Sequence, residues 1–121
     1  MKKRIYLIGV PEELSKFLRD SRTMRAIAEV GEGVNLDTVF VPNEDYFKLV
    51  GSYCRNRNIN TVRVKQGSIV DSALEVFKYS RDNPDKTALG YVEFQARTRE
   101  MEDILNQMDF YVTRRDLSLL T

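Results

Sequence analysis

Short apolar runs rich in β-branched and aromatic residues recur along the chain, at residues 4–9, 37–41, 61–65, 88–94 and 110–114. Runs of this length and composition are typical of β-strands. The segments between them are longer, and their apolar residues are spaced by three or four positions, as on one face of a helix. The pattern therefore predicts five strands that alternate with four helices.

The predicted helices have local start or stop signals. The first ends at about residue 30, and Asn43 is expected to cap the second. Ser68, with Asp71 three positions on, resembles a capping box for the third helix, and Thr98 is expected to cap the fourth. The side chains predicted to face the sheet are Leu14, Phe17, Leu18, Met24, Ile27 and Ala28 in the first helix, Phe47, Val50 and Cys54 in the second, Val70, Ala73, Leu74 and Phe77 in the third, and Met101, Ile104, Leu105 and Met108 in the fourth.

This alternation predicts a single α/β domain over residues 1–121, a three-layer fold with helices on both faces of a mostly parallel sheet. We expect the strand order 2-1-3-4-5 of flavodoxin-like domains. The final covering helix of that fold is missing from the pattern, since residues 117–121 are too few to form it. One sheet face should therefore stay partly open, with Tyr91 and Tyr111 on it as an interface between protomers.

Composition removes several classes of function. The chain has no histidine and one cysteine, which excludes histidine-activated nucleophiles, histidine metal sites and an internal disulfide. The net charge of +1 means that any charged partner must be recognised by a local patch. No apolar run is long enough to span a membrane or to act as a signal peptide. We therefore expect a cytoplasmic protein without a membrane partner or a cofactor.

Basic residues collect where the last three predicted strands end, the edge at which α/β sheets bind ligands. The predicted ligand-binding residues are Lys65, Gly67, Ser68, Arg97, Arg99, Arg114 and Arg115. In the order 2-1-3-4-5 the four arginines share one concavity with two helix N-termini, an arrangement that suits phosphate. We therefore predict a binding or regulatory domain rather than an enzyme, with a nucleic acid or a nucleotide as its ligand.

Two other functions stay open on the sequence. A protein-binding regulator, or a subunit of a homodimer, would use the open face with Tyr91 and Tyr111. A metal-dependent nuclease would use Asp85, Glu93 and Gln95, because their spacing resembles the acidic motif of restriction-type nucleases.

Overall fold

A computed structural model of the chain describes residues 3–11, 36–42, 44–65 and 67–116. Its strands are β1 (Lys3–Val10), β2 (Thr38–Val41), β3 (Asn60–Arg63), β4 (Ala88–Phe94) and β5 (Phe110–Asp116), and its helices are α1 (Glu44–Arg55), α2 (Ile69–Asp82) and α3 (Gln95–Gln107). The predicted α/β class is confirmed. The first predicted helix, the Asn43 cap and the expected absence of a final helix after β5 concern positions outside the described residues.

The strands form one parallel sheet in the order β3-β2-β4-β1-β5. The expected order 2-1-3-4-5 was wrong, because β4 lies between β2 and β1. Every residue from Leu89 to Glu93 is buried, whereas most of β5 is exposed. A strand buried on both faces belongs in the middle of a parallel sheet. β4 is therefore the central strand, and β5 pairs with β1 alone among the described strands.

Each face of the sheet has its own core, because alternate residues of a strand point to opposite sides. The face covered by α2 and α3, here the α2/α3 face, buries Ile5, Leu7, Phe40, Leu89, Tyr91 and Phe110 beneath Ala73, Val76, Met101 and Leu105. The opposite face, here the α1 face, buries Ile8, Val10, Val39, Val41 and Val92 against Val50 and Cys54. The predicted three-layer arrangement is thus confirmed.

Polar contacts fasten the strands at their amino ends. The ammonium group of Lys3 donates hydrogen bonds to the carbonyl oxygens of Ser80 and Asn83, at 2.6 and 2.8 Å. A cation at these last carbonyls of α2 complements the helix dipole. The Asp37 carboxylate accepts hydrogen bonds from the backbone N–H groups of residues 87 and 88, at 2.9 and 3.0 Å. These bonds fix the start of β4 beside β2 and the end of α2 beside β1.

Helix α2 presents a different side to the sheet from the predicted one. Val70, Leu74 and Phe77 were expected to face the sheet, but they are 48%, 44% and 38% exposed. The buried positions of α2 are Ser72, Ala73, Val76 and Ser80. The sheet below carries the bulky rings of Phe40 and Tyr91, with centroids 6.4 Å apart. Small side chains on α2 let the helix approach these rings, so its larger apolar residues lie outside.

Gly9 in β1 leaves room for a side chain of the neighbouring strand. A Cβ atom at this position would lie 2.0 Å from Asp116 Oδ1 and 3.1 Å from Gln95 Cγ. The space above Gly9 is therefore occupied by the Asp116 carboxylate, whose Oδ1 lies 3.3 Å from Thr98 Oγ1.

Gly9→Ala is expected to lower the free energy of unfolding by about 1–3 kcal/mol, because the added methyl group displaces Asp116. In an Asp116→Ala background the main clash is absent, so the same substitution should destabilise much less. Chemical denaturation of the wild type, the two single variants and the double variant measures this difference.

Gly51→Ala is the matched control, because a Cβ at Gly51 in α1 meets nothing within 4 Å. This change should raise the free energy of unfolding by about 0.5–1 kcal/mol. An equal loss for Gly9→Ala in both backgrounds would show that Asp116 does not occupy the space above Gly9.

Candidate functional site

Two helix N-termini meet at the carboxyl edge of the sheet on the α2/α3 face. Helix α2 begins after Ser68, and α3 begins directly where β4 ends. Arg97, in the first turn of α3, donates a hydrogen bond from Nη2 to the carbonyl oxygen of Gly67 at 3.3 Å. This contact joins the start of α3 to the loop that precedes α2.

The start of α2 is tightly held. Ser68 is the N-cap, and its hydroxyl accepts a hydrogen bond from the backbone N–H of Asp71 at 3.1 Å, which confirms the predicted cap. The backbone N–H of Lys65 donates to Glu75 Oε2 at 2.7 Å, and the Lys65 carbonyl accepts from Ser72 Oγ at 3.3 Å. The first turns of α2 therefore fix the backbone of the loop that approaches them.

The start of α3 departs from the expected one. Thr98 does not cap the helix, which begins at Gln95 with Phe94 as a cap that makes no side-chain hydrogen bond. Thr98 lies buried in the first turn and donates to the carbonyl oxygen of Gln95 at 2.9 Å. Because β4 passes directly into α3, the end of the strand sets the start of the helix and no capping residue is needed in a loop.

Glu93, the last residue but one of β4, is the buried acid of this site, with 1% of its surface exposed. Its Oε1 accepts the backbone N–H of Phe94 at 2.9 Å, and its Oε2 accepts the Tyr91 hydroxyl at 3.3 Å. Arg97 Nε lies 3.8 Å from Oε1. Burial raises the pKa of Glu93, although the Phe94 N–H and the Arg97 charge act in the opposite direction.

Tyr91 extends this arrangement towards α2. Burial and the neighbouring Glu93 carboxyl raise the pKa of Tyr91, although Ser72 of α2 acts in the opposite direction. Ser72 donates to the Lys65 carbonyl and Arg97 donates to the Gly67 carbonyl, so polar groups lie on the α2/α3 face from Lys65 to Gly67. We call this set the Glu93 network; its members are Lys65, Gly67, Ser72, Tyr91, Glu93 and Arg97.

Arg97 is the exposed end of the Glu93 network. Its Nε is buried and has no hydrogen-bond partner among the described residues, while about a third of the side chain, 34%, reaches solvent. A guanidinium group carries five N–H donors in a planar fork. Arg97 therefore places a fixed cation at the head of α2.

The predicted basic rim divides into separate parts. Lys65, Gly67, Ser68 and Arg97 lie together at the start of α2. Arg99 is exposed on α3, and residues two positions apart on a helix point in different directions, so it does not accompany Arg97.

The two arginines of β5 lie apart from that group, because β1 separates β4 from β5. Arg114 pairs with Glu102 at 3.7 Å and with Asp116 at 3.8 Å. Arg115 alternates to the α1 face of the sheet. The expectation that four arginines share one concavity was therefore wrong, because it depended on the wrong strand order.

The expected tyrosine interface is also wrong. Tyr91 is 0% exposed under α2 and α3, whereas Tyr111 is 56% exposed on edge strand β5. In the sheet, Tyr91 of β4 lies beside Leu7 of β1, and Tyr111 of β5 lies beside Arg4 of β1. Because Leu7 and Arg4 are an odd number of positions apart on one strand, the side chains at these two levels point to opposite faces of the sheet. The two tyrosines thus cannot form one surface.

The residues of the nuclease hypothesis are not brought together. Asp85 precedes β4 and Glu93 lies near its end, and the five steps from Ala88 to Glu93 alone span about 17 Å. Within residues 3–11, 36–42, 44–65 and 67–116, no group of three or more acidic, cysteine or histidine side chains is placed to hold a metal ion. The spacing therefore does not create the expected pair of metal ligands.

Comparisons with models of protein families, with curated proteins and with solved structures found no match. Among the helices described, none is both long and apolar enough to cross a membrane. A functional inference for this chain therefore has to start from the geometry and charge of its own residues.

Glu93→Gln is expected to stabilise the protein near pH 7 and to have little effect near pH 4. Because burial raises the pKa of Glu93 above its ordinary value of 4.5, the folded state binds more protons than the unfolded state above that pH. Stability of the wild type therefore falls as the pH rises towards the raised pKa, whereas the neutral glutamine adds no such dependence. Denaturant unfolding of both proteins across this pH range measures the difference.

Glu100→Gln is the control, since it makes the same change at an exposed position of α3. The stability difference from the wild type should grow with pH for Glu93→Gln, and the Glu100→Gln series measures how much of that growth comes from the loss of any carboxyl group. A difference that does not change with pH at Glu93 would contradict a raised pKa there.

Proposed function

We propose that this protein is a non-catalytic binding domain for a phosphate-bearing ligand, which docks at the N-terminus of α2. The proposed contacts are Lys65, Gly67, Ser68 and Arg97. The observation that carries the proposal is the position of Arg97, whose guanidinium group lies on the Gly67 carbonyl while its buried Nε lacks a hydrogen-bond partner among the described residues.

Backbone geometry at the start of α2 supports anion binding. Ser68 Oγ accepts the N–H of Asp71, but the N–H groups of Ile69 and Val70 have no acceptor within the helix. The positive end of the helix dipole lies at the same place. Gly67 has no side chain and is exposed, so an anion can approach the backbone there.

The charge distribution favours a small ligand. Arg63 pairs with Glu44, and Arg114 pairs with Glu102, so these two cations are partly neutralised by acids of the same surface. Arg97 also has an acidic neighbour, with its Nε 3.8 Å from Glu93 Oε1, but burial of Glu93 disfavours the charged form of that acid. Lys65 and Arg97 form a compact pair of cations at the start of α2. Such a pair suits the phosphate of a nucleotide, whereas a long nucleic acid needs a row of cations along its backbone. We therefore propose a nucleotide as the ligand class.

Arg97→Ala is expected to weaken the binding of sulfate and of a nucleoside monophosphate about tenfold to a hundredfold, because charge-assisted hydrogen bonds are lost. Arg97→Lys keeps the charge but not the planar fork, so it should recover only part of the affinity. Isothermal titration calorimetry measures the dissociation constants, after thermal unfolding has shown that each variant folds.

Arg99→Ala and Arg115→Ala are charge-matched controls and should bind like the wild type. Equal losses in all three alanine variants would mean that the protein attracts anions only through its overall charge. A labelled single-stranded oligonucleotide that binds with a steep salt dependence, while sulfate and the nucleotide do not bind, would favour nucleic acid as the ligand.

Sulfate binding is expected to strengthen as the pH falls through the raised pKa of Glu93. A bound dianion competes with the Glu93 carboxylate for Arg97, so binding favours the protonated form of Glu93 and takes up a proton. Sulfate keeps its charge over this range, which makes it the appropriate probe. In Glu93→Gln the affinity should be independent of pH, and the same pH dependence in both proteins would exclude this coupling.

A further inference from the structure

The outward side of α2 carries three apolar residues on one face. Val70, Leu74 and Phe77, here the α2 stripe, follow the spacing of four and three positions that aligns side chains along a helix. A cavity of about 350 Å³ adjoins the stripe and is lined by Leu74, Phe77, Gln107, Met108 and Asp109. Isolated exposed apolar residues are ordinary, but a continuous stripe beside a recess is typical of an interaction surface.

Charged residues of opposite sign border the α2 stripe. Asp71 and Lys78 are seven positions apart, which is about two helical turns, so they lie on the same flank of the stripe. Both are exposed, and no ion pair within the described part of the chain includes either of them. The flank thus has a negative end near the start of α2 and a positive end towards its other end.

We propose that the α2 stripe is a homodimer interface in which the α2 helices of two copies pack antiparallel about a two-fold axis near Leu74. Leu74 then lies against its own counterpart, and Val70 of one copy lies opposite Phe77 of the other. Asp71 of each copy lies opposite Lys78 of its partner. Two-fold symmetry repeats every contact, so the whole surface is complementary to itself.

Charge order is the reason for choosing a second copy, and for choosing the antiparallel direction. In a parallel pair, the two-fold axis runs along the helices and puts the flank with Asp71 and Lys78 on the side away from the same flank of the partner, so neither charge would meet its opposite. In the antiparallel pair both contacts are attractive, as in coiled coils whose flanking charges set partner and orientation. The recess beside Leu74 and Phe77 also accepts an apolar side chain from the facing helix.

This interface shares only the first turn of α2 with the proposed anion site, through Val70 and Asp71, and it differs from the interface expected on β5. The stripe lies on the outward side of α2, and the anion site lies at the N-terminus of the helix. Tyr111, the exposed aromatic residue of edge strand β5, takes no part in the proposed contact. Substitutions on the two surfaces therefore separate the two possible dimers.

The first test substitutes the centre of the stripe. Leu74→Glu places a charge at the two-fold axis of the proposed dimer and should raise the dimer dissociation constant about thirtyfold or more. Tyr111→Glu is the control and should leave the constant unchanged. Sedimentation equilibrium over a concentration series measures both, and circular dichroism shows that the variants fold, since both positions are exposed.

The second test exchanges the flanking charges. Asp71→Lys makes both flanking positions positive, and Lys78→Asp makes both negative. Like charges then face each other across the interface, so the dimer dissociation constant of each variant alone should rise about tenfold or more above that of the wild type. An equimolar mixture of the two should form a heterodimer, because every contact is then attractive. A mixture that stays monomeric would overturn the charge pairing.

The wild-type protein supplies the remaining decisive measurement. A dimer that Leu74→Glu dissociates and Tyr111→Glu does not is the expected result. A wild type that stays monomeric at several hundred micromolar would overturn the proposal. A dimer that survives Leu74→Glu but not Tyr111→Glu would place the interface on β5 instead.

Discussion

The carboxyl group of Glu93, buried near the end of the central strand, is the contact on which the carboxyl edge of this protein depends. Burying a charged carboxylate is expensive unless hydrogen bonds and a counter-charge accompany it. Here the Phe94 N–H, the Tyr91 hydroxyl and the Arg97 guanidinium group surround it. Each of these partners belongs to β4 or to the first turn of α3. The requirement to satisfy one buried acid therefore fixes how β4 enters α3 and where Arg97 points.

The need to satisfy the buried Glu93 also explains why sequence patterns predicted the helices and strands better than the order of the strands in the sheet. β4 spans the predicted residues 88–94, and Ser68 caps α2 as expected, because both features depend on neighbours in sequence. The mixed polarity of β4 suggested an open face, since Tyr91 and Glu93 look like solvent-exposed positions. In the structure these two polar groups bond to each other, so the strand can be central. A buried polar pair cannot be recognised from alternation alone.

Helix α2 has two apolar sides, and the sequence does not reveal which of them packs on the sheet. One side has Ala73 and Val76, and the other has the larger Leu74 and Phe77. Hydrophobicity favours the larger residues as the buried ones, whereas the fit against the ring of Tyr91 favours the smaller ones. That fit is a property of the packed layers. For the same reason the grouping of the basic rim was not predictable, because the position of β1 between β4 and β5 separates its arginines.

Helix α2 therefore has three distinct sides, and each supports a different property of the protein. Its inward side holds the core, its N-terminus with Ser68 forms the proposed anion site, and its outward stripe forms the proposed dimer contact. In an antiparallel pair with its two-fold axis near Leu74, the two N-termini lie about 15 Å apart along the helices, and the helix axes are separated by roughly 8–10 Å. A single nucleotide is too short to bridge that distance, so each anion site of the dimer would bind its own ligand. The dimer would then use side chains of α2 and the ligand would use the backbone N–H groups of its first turn, and the Glu93 network would couple each ligand only to its own protomer.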